Sequence, residues 1–128
     1  MPKLTPAHLQ AIKTVLAARP DIIAAWLFGS AQSGELRAGS DLDIALLFED
    51  APTLDTLLDL RSDLQQTTQI DAIDLVVLND ASPLLRFEAV SGRDIYCRDM
   101  GKRAAFVSLT AREYEDEMAQ LQRALNLG

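Results

Sequence analysis

The stretch that decides the fold is Gly29 to Asp43, GSAQSGELRAGSDLD, which lies between two apolar runs. Ile22 to Phe28 (IIAAWLF) precedes this stretch, and Asp43 to Glu49 (DIALLFE) continues from it. Short apolar runs bounded by glycine-containing turns are typical of buried strands. The pattern therefore predicts two core strands joined by a loop that carries polar and acidic side chains.

Three aspartates are predicted to meet at the start of the second strand. Asp41 and Asp43 stand two residues apart, so a strand would place both carboxylates on one face. Such a pair is repulsive unless a cation neutralises it, and Mg²⁺ prefers oxygen ligands of this kind. Asp74 lies out of pattern in the apolar run Ile73 to Leu78, and it can join the pair if the two strands are neighbours. Three carboxylates can hold two divalent ions for displacement at phosphorus, and one can help deprotonate a hydroxyl.

Gly29 and Ser30 form the turn that leaves the first predicted strand. A glycine lets the backbone approach a ligand closely, and a helical turn after it would direct N–H groups at phosphate. Ser30 adds a hydroxyl donor. The loop is therefore predicted to cradle phosphate beside the carboxylates.

Helical patterns fill much of the remaining chain. Thr5 and Ser82 are each followed by proline, which is typical of a helix N-cap and first turn. Thr110-x-x-Glu113 matches a capping box and predicts that the last helix begins there, with the acidic run 113–117 in its first turns. Strands alternating with helices predict an α/β (α+β) fold with one small sheet, as a single domain over residues 1–128.

Composition excludes several classes of function. The formal net charge of −7 argues against stable binding to nucleic acid or to an anionic membrane. The longest apolar run has seven residues, Ile22 to Phe28, whereas a membrane span needs about 20. Cys97 is the only cysteine, so the chain can form neither an internal disulfide nor a cysteine-based zinc site. We expect a cytoplasmic protein.

Gly-Ser, ten intervening residues and Asp-x-Asp resemble the signature of the nucleotidyltransferase superfamily related to DNA polymerase β. In its short length the chain is also similar to the minimal nucleotidyltransferases, the MNT family. Ser33 departs from the pattern, because related chains often carry arginine there. The residues that match the family are Gly29, Ser30, Arg37, Ser40, Asp41 and Asp43, with Asp74 at the position of the third carboxylate.

The resemblance implies a polymerase β-like core, in which helices flank a small mixed sheet, and transfer of AMP from ATP to a hydroxyl group. It assigns two Mg²⁺ ions to Asp41, Asp43 and Asp74, which are also the predicted catalytic residues. It assigns the triphosphate to Gly29, Ser30, Arg37 and Ser40. For Arg37 the alternative is an ion pair with Glu35 in solvent.

The resemblance also implies a partner. MNT proteins are similar to antitoxins of type VII-like pairs, which neutralise a HEPN ribonuclease toxin by adenylylating one of its tyrosines. We therefore expect a HEPN-type toxin, helical and basic, as acceptor. Two alternatives stay open: an antitoxin with a weak or inactive site that neutralises its partner by stoichiometric binding, and a small-molecule adenylyltransferase whose cleft is completed by dimerisation. Ser33 keeps the first of them open.

Overall fold

The computed structural model describes residues 4–29 and 42–126, and the structural statements that follow concern those two ranges. The elements within them are, in chain order, α1 (Pro6–Ala17), β1 (Ile22–Phe28), β2 (Leu42–Phe48), α2 (Leu54–Thr68), β3 (Ile73–Val77), α3 (Pro83–Val90), β4 (Arg93–Cys97) and α4 (Met100–Asn126). Both predicted central strands are present, and the predicted fold class is confirmed.

The four strands of the described ranges form one mixed sheet in the order β3-β2-β1-β4. Strand β1 pairs antiparallel with both β2 and β4, whereas β2 and β3 run parallel. Every residue of β1 is buried, because helices cover the sheet on both faces. This double burial explains why the run Ile22 to Phe28 shows no alternation of polar and apolar residues.

Each face of the sheet has its own hydrophobic core. Helices α1 and α2 cover one face, and α3 and α4 cover the other. The first core includes Ile12, Leu16, Leu27, Ile44, Leu60 and Leu64. The second core includes Trp26, Ala45, Leu47 and Ala89, with Phe106 and Val107 packed against it. Trp26 is 1% exposed, so this aromatic residue belongs to the core.

The predicted helix starts at Thr5 and Ser82 are confirmed. Thr5 Oγ1 accepts a hydrogen bond from the backbone N–H of His8, and His8 Nδ1 accepts one from the backbone N–H of Thr5. Ser82 Oγ accepts from the backbone N–H of Leu85. No helix in these two ranges is both long enough and apolar enough to cross a membrane.

The predicted start of the last helix is wrong. Helix α4 begins at Met100, and Asp99 Oδ1 accepts a hydrogen bond from the Lys102 backbone N–H at 3.0 Å in the first turn. Thr110 lies inside the helix and is 1% exposed, so it cannot be the N-cap. The acidic run 113–117 therefore lies in the middle of α4, where it does not complement the helix dipole.

Candidate active site

The parallel pairing of β2 with β3 brings two of the predicted acids together. Asp43 lies directly opposite Asp74, and neighbouring strands are about 4.8 Å apart. Both side chains project from the face that α3 and α4 cover, because Ala45 and Val76, two residues further along each strand, pack there. Asp43 is half-buried and Asp74 is exposed. The two carboxylates thus meet at one end of the sheet, accessible to a ligand.

Gly29 places the end of β1 against this pair. Its φ is +66°, in the left-handed region that side chains other than glycine rarely adopt. Phe28 lies opposite Asp43 in the sheet, and a Cβ atom on Gly29 would lie 2.8 Å from Asp43 Oδ2. Glycine is therefore required at this position by the backbone conformation and by the space that the Asp43 carboxylate occupies.

Gly92 ties the end of α3 to the same end of the sheet. A Cβ atom there would lie 2.1 Å from the backbone oxygen of Leu27, so only glycine allows this approach. Leu27 directly precedes Phe28, the strand partner of Asp43. The sequence indicates Gly92 as a helix-ending residue, but its contact with β1 depends on tertiary packing.

The other predicted site residues lie outside the described residues. They are Ser30, Arg37, Ser40 and Asp41. Within residues 4–29 and 42–126, no group of three or more His, Cys, Asp or Glu side chains could hold a metal ion. The structure thus joins Asp43 to Asp74, and the three-carboxylate site with Asp41 stays a prediction.

The chemistry of the pair that is described fits a hard cation. Both side chains offer oxygen donors, and the described Cys97 lies on β4 at the far edge of the sheet from Asp74. Oxygen ligands favour Mg²⁺ over softer metals, and Mg²⁺ commonly takes one or two carboxylates together with substrate phosphates. Asp43 and Asp74 could therefore supply two of the ligands of such an ion.

Two aspartates lie opposite each other at one end of a mixed sheet, beside a glycine turn. A comparison with known families shows which class of protein has these features. The family model described as "Polymerase beta, Nucleotidyltransferase" matches residues 10–101, a range that contains Gly29, Asp43 and Asp74. The chain belongs to this nucleotidyltransferase family, as the resemblance implied. A comparison with curated proteins gave no match.

Several solved structures have the same fold as this chain. The chain is similar to a crystal structure of a mutant MntA–HpeT toxin–antitoxin, with 25% identity, a TM-score of 0.79 and coverage of 92% of this chain and 95% of that chain. A toxin–antitoxin with AMP-PNP is 25% identical, with a TM-score of 0.77 and the same coverage. A tri-AMPylated Shewanella oneidensis HEPN toxin in complex with MNT antitoxin matches at 23% identity, a TM-score of 0.72 and 93% of each chain, which shows the fold alone.

Proposed function

We propose that this nucleotidyltransferase depends on Mg²⁺ and transfers AMP from ATP to a hydroxyl group of a HEPN-type toxin, and that it thereby acts as an antitoxin. The observation that carries the proposal is the alignment of Asp43 with Asp74 beside the Gly29 turn, in a member of the polymerase β nucleotidyltransferase family. The similar toxin–antitoxin structures, one of them with AMP-PNP, support the nucleotide donor and a toxin as the partner.

The proposed reaction is a displacement at the α-phosphorus of ATP. The acceptor hydroxyl oxygen forms a bond to this phosphorus, and the bond from phosphorus to the oxygen that bridges to the β-phosphate breaks. Pyrophosphate leaves with the electron pair of that bond. The hydroxyl proton passes to a carboxylate, and the exposed Asp74 is the proposed acceptor of the proton.

The remaining proposed roles concern binding. Gly29 and Ser30 cradle the triphosphate, and Arg37 and Ser40 contribute donors to it. Asp41 and Asp43, completed by Asp74, would hold two Mg²⁺ ions. When bound, these ions would neutralise the charge that develops on the phosphates.

A protein acceptor agrees with the charge of the chain. The net charge of −7 disfavours a nucleic-acid acceptor and is complementary to a basic protein. A folded acceptor also brings its own binding surface, so no second substrate-binding domain is needed. A tyrosine as the modified residue, and a cytoplasmic location where ATP is supplied, complete the proposal.

The second candidate function is neutralisation by binding alone. Ser33, in place of the arginine common in related chains, removes a cation from the predicted triphosphate loop and favours this alternative. Both functions need a complex with the toxin, but only the enzyme changes the covalent structure of its partner.

Intact-mass spectrometry distinguishes the two functions. A purified HEPN-type toxin that the chain binds is incubated with the chain, ATP and Mg²⁺, and a parallel sample omits ATP. The enzyme predicts that the toxin gains mass in steps of one adenylyl group and stays modified and inactive after the chain is removed. Neutralisation without any gain in mass, reversed when the chain is removed, would contradict the enzyme and support stoichiometric binding.

A further inference from the structure

Helix α3 turns one face away from the core. Leu84, Phe87, Glu88 and Ser91 follow the spacing i, i+3, i+4, i+7, which aligns them along a single helix face. Together with Tyr114 of α4, they line an open groove of about 550 Å³. We refer to these five residues as the α3–α4 groove.

The floor of the α3–α4 groove is apolar and accessible. The Leu84 side chain is 53% exposed. The rings of Phe87 and Tyr114 stack with their centroids 3.8 Å apart, and both residues are half-buried. Exposed apolar groups of this kind are the usual anchors of protein interfaces.

An exposed apolar stripe extends from the groove along α4. One face of α4 carries Tyr114, Met118, Leu121 and Leu125 at helical spacing. Nearer the start of the helix, Val107 lies on the same face and packs against the second core. Leu121 is 52% exposed and Leu125 is 69% exposed. Within the described range 115–126 no residue is buried. We refer to Met118, Leu121 and Leu125 as the α4 stripe.

The walls of the groove are held in place by Arg86. Its Nη1 atom lies 3.3 Å from Glu113 Oε1 on α4, and its guanidinium lies 5.3 Å from the centre of the Phe106 ring. Its Nε atom also donates to the backbone oxygen of Leu78 at 2.9 Å. Helix α3 is thereby fixed against α4, so the groove is formed before any partner binds.

One end of the groove lies close to the candidate active site. Ser91, the last residue of the α3 wall, directly precedes Gly92, which abuts the backbone oxygen of Leu27 at the end of β1. Phe28, the next residue along β1, lies opposite Asp43. A segment held in the groove is therefore held beside the end of the sheet where AMP transfer is proposed.

The acidic side chains beside the groove and the stripe indicate which kind of partner binds there. The acids beside the groove and the stripe are Glu88, Glu115 and Glu117, all of them exposed. They would attract lysine and arginine side chains and would repel the same acids on a second copy of this chain. We propose that the α3–α4 groove and the α4 stripe bind an amphipathic helix of the toxin that has basic residues beside its apolar face, and thereby dock the toxin beside the candidate active site. This docking site rests on the proposed function.

The test compares two matched double variants. Leu121→Glu/Leu125→Glu changes the α4 stripe, and Leu54→Glu/Leu58→Glu changes two equally spaced leucines on α2 that are 70% and 52% exposed. The probe is a purified HEPN-type toxin that the wild-type chain binds. Its dissociation constant is measured by calorimetry with each variant, and AMP transfer is measured over a range of toxin concentrations.

The α4 variant is expected to weaken toxin binding and to raise the KM for the toxin by about 10-fold or more, because binding would bury two introduced carboxylates against the apolar face of the toxin helix. Its kcat at saturating toxin and its affinity for ATP should stay within about 2-fold of wild type, since Asp43 and Asp74 are unchanged. Leu84→Glu, at the groove itself, should have the same effect. The α2 variant should bind the toxin like wild type.

Equal binding by the α4 and α2 variants, or equal loss in both, would overturn the docking site. A wild-type dimer in light scattering that only the α4 variant dissociates would assign the stripe to a second copy, and it would also overturn the proposal. Failure of the proposed function looks different. In that case wild type binds the toxin without transferring AMP, and the contrast in binding between the two variants still tests the docking site.

Discussion

Gly29 is the residue at which backbone conformation and site chemistry depend on each other. Its left-handed φ of +66° turns the chain out of β1, and the missing side chain leaves space for Asp43 Oδ2. An alanine methyl group at 2.8 Å from that oxygen would force the carboxylate or the turn to move. Gly29 is therefore needed both for the turn and for the position of the Asp43 carboxylate.

Gly29→Ala is expected to reduce both stability and activity. The left-handed conformation costs an alanine about 1–2 kcal/mol in free energy of unfolding. The displaced Asp43 carboxylate should lower the rate of AMP transfer by about 10-fold or more, measured under conditions where the variant is fully folded. Urea denaturation and a transfer assay on the same preparation measure the two effects.

Gly101→Ala is the matched control for this prediction. Gly101 lies in helix α4, where, among the described residues, an added Cβ would contact Asp99 Oδ1 at 3.5 Å. Alanine is the better helix former, so the control should be as stable as wild type or more stable, with unchanged activity. If Gly29→Ala transferred AMP at the wild-type rate, the proposed close fit between Gly29 and Asp43 would be wrong.

At the scale of elements, helix α4 carries a polar group at a buried position. Thr110 is 1% exposed, and its Oγ1 has no hydrogen-bond partner among the residues that the structure describes. A buried hydroxyl without a partner costs about 1–3 kcal/mol of stability. The helix carries this cost where it packs against α3 and β1.

Thr110→Val is expected to raise the free energy of unfolding by about 1 kcal/mol, because valine has a similar shape and no hydroxyl to desolvate. Thermal and urea unfolding measure the change. Thr110→Ser is the informative comparison, since it keeps the hydroxyl and loses a methyl group, and it should lower stability by about 1 kcal/mol. A destabilised valine variant would show that the hydroxyl has a partner in the folded protein.

The elements also show how far the sequence predicts this fold. Strand β1 has its predicted bounds, Ile22 to Phe28, because a continuous apolar run between turns has few alternatives. The start of α4 was missed because Thr110-x-x-Glu113 is a local pattern, whereas the burial of Thr110 depends on contacts with distant elements. The true start carries a weaker signal, an aspartate followed three residues later by lysine.

Some features of the candidate site could likewise be predicted from the sequence, and others depend on tertiary packing. Asp43 could be proposed from its spacing to Asp41, and Asp74 from its out-of-pattern position in an apolar run. The parallel pairing of β2 with β3 then places Asp43 opposite Asp74. The close approach of Gly92 to β1 and the groove between α3 and α4 could not be predicted, since they depend on how helices pack across the sheet. The predicted roles of Ser30, Arg37, Ser40 and Asp41 stay predictions.

At the scale of the whole molecule, Glu49 connects three elements at the end of the sheet opposite the candidate site. Its Oε1 atom lies 2.6 Å from Arg98 Nη2 at the end of β4 and 2.8 Å from Lys102 Nζ in the first turns of α4. The hydrogen bond from Lys102, followed by that from Arg98, lowers the pKa of the Glu49 carboxyl below its ordinary value of 4.5. The charged form of Glu49 is thus favoured in the folded protein.

This lowered pKa predicts a pH dependence of stability. The Glu49 contribution is fully present above about pH 4.5, the pKa of the unfolded chain, and is lost as pH falls through the lower pKa of the folded protein. Glu49→Gln should therefore be less stable than wild type at pH 7, and the difference should shrink below pH 4.5. Urea denaturation at both pH values measures it. A difference that stayed constant with pH would exclude a contribution from the charge of Glu49.

The measurement that most directly tests the proposed chemistry is the rate at which label moves from α-labelled ATP to the HEPN protein with Asp43→Asn, compared with Asp59→Asn. Both variants remove one carboxylate charge, but Asp59 is exposed on α2, which covers the other face of the sheet. We expect Asp43→Asn to bind the toxin like wild type and to transfer label on the order of 100-fold more slowly or worse, while Asp59→Asn keeps the wild-type rate. Transfer by Asp43→Asn at the wild-type rate would contradict the assignment of the active site.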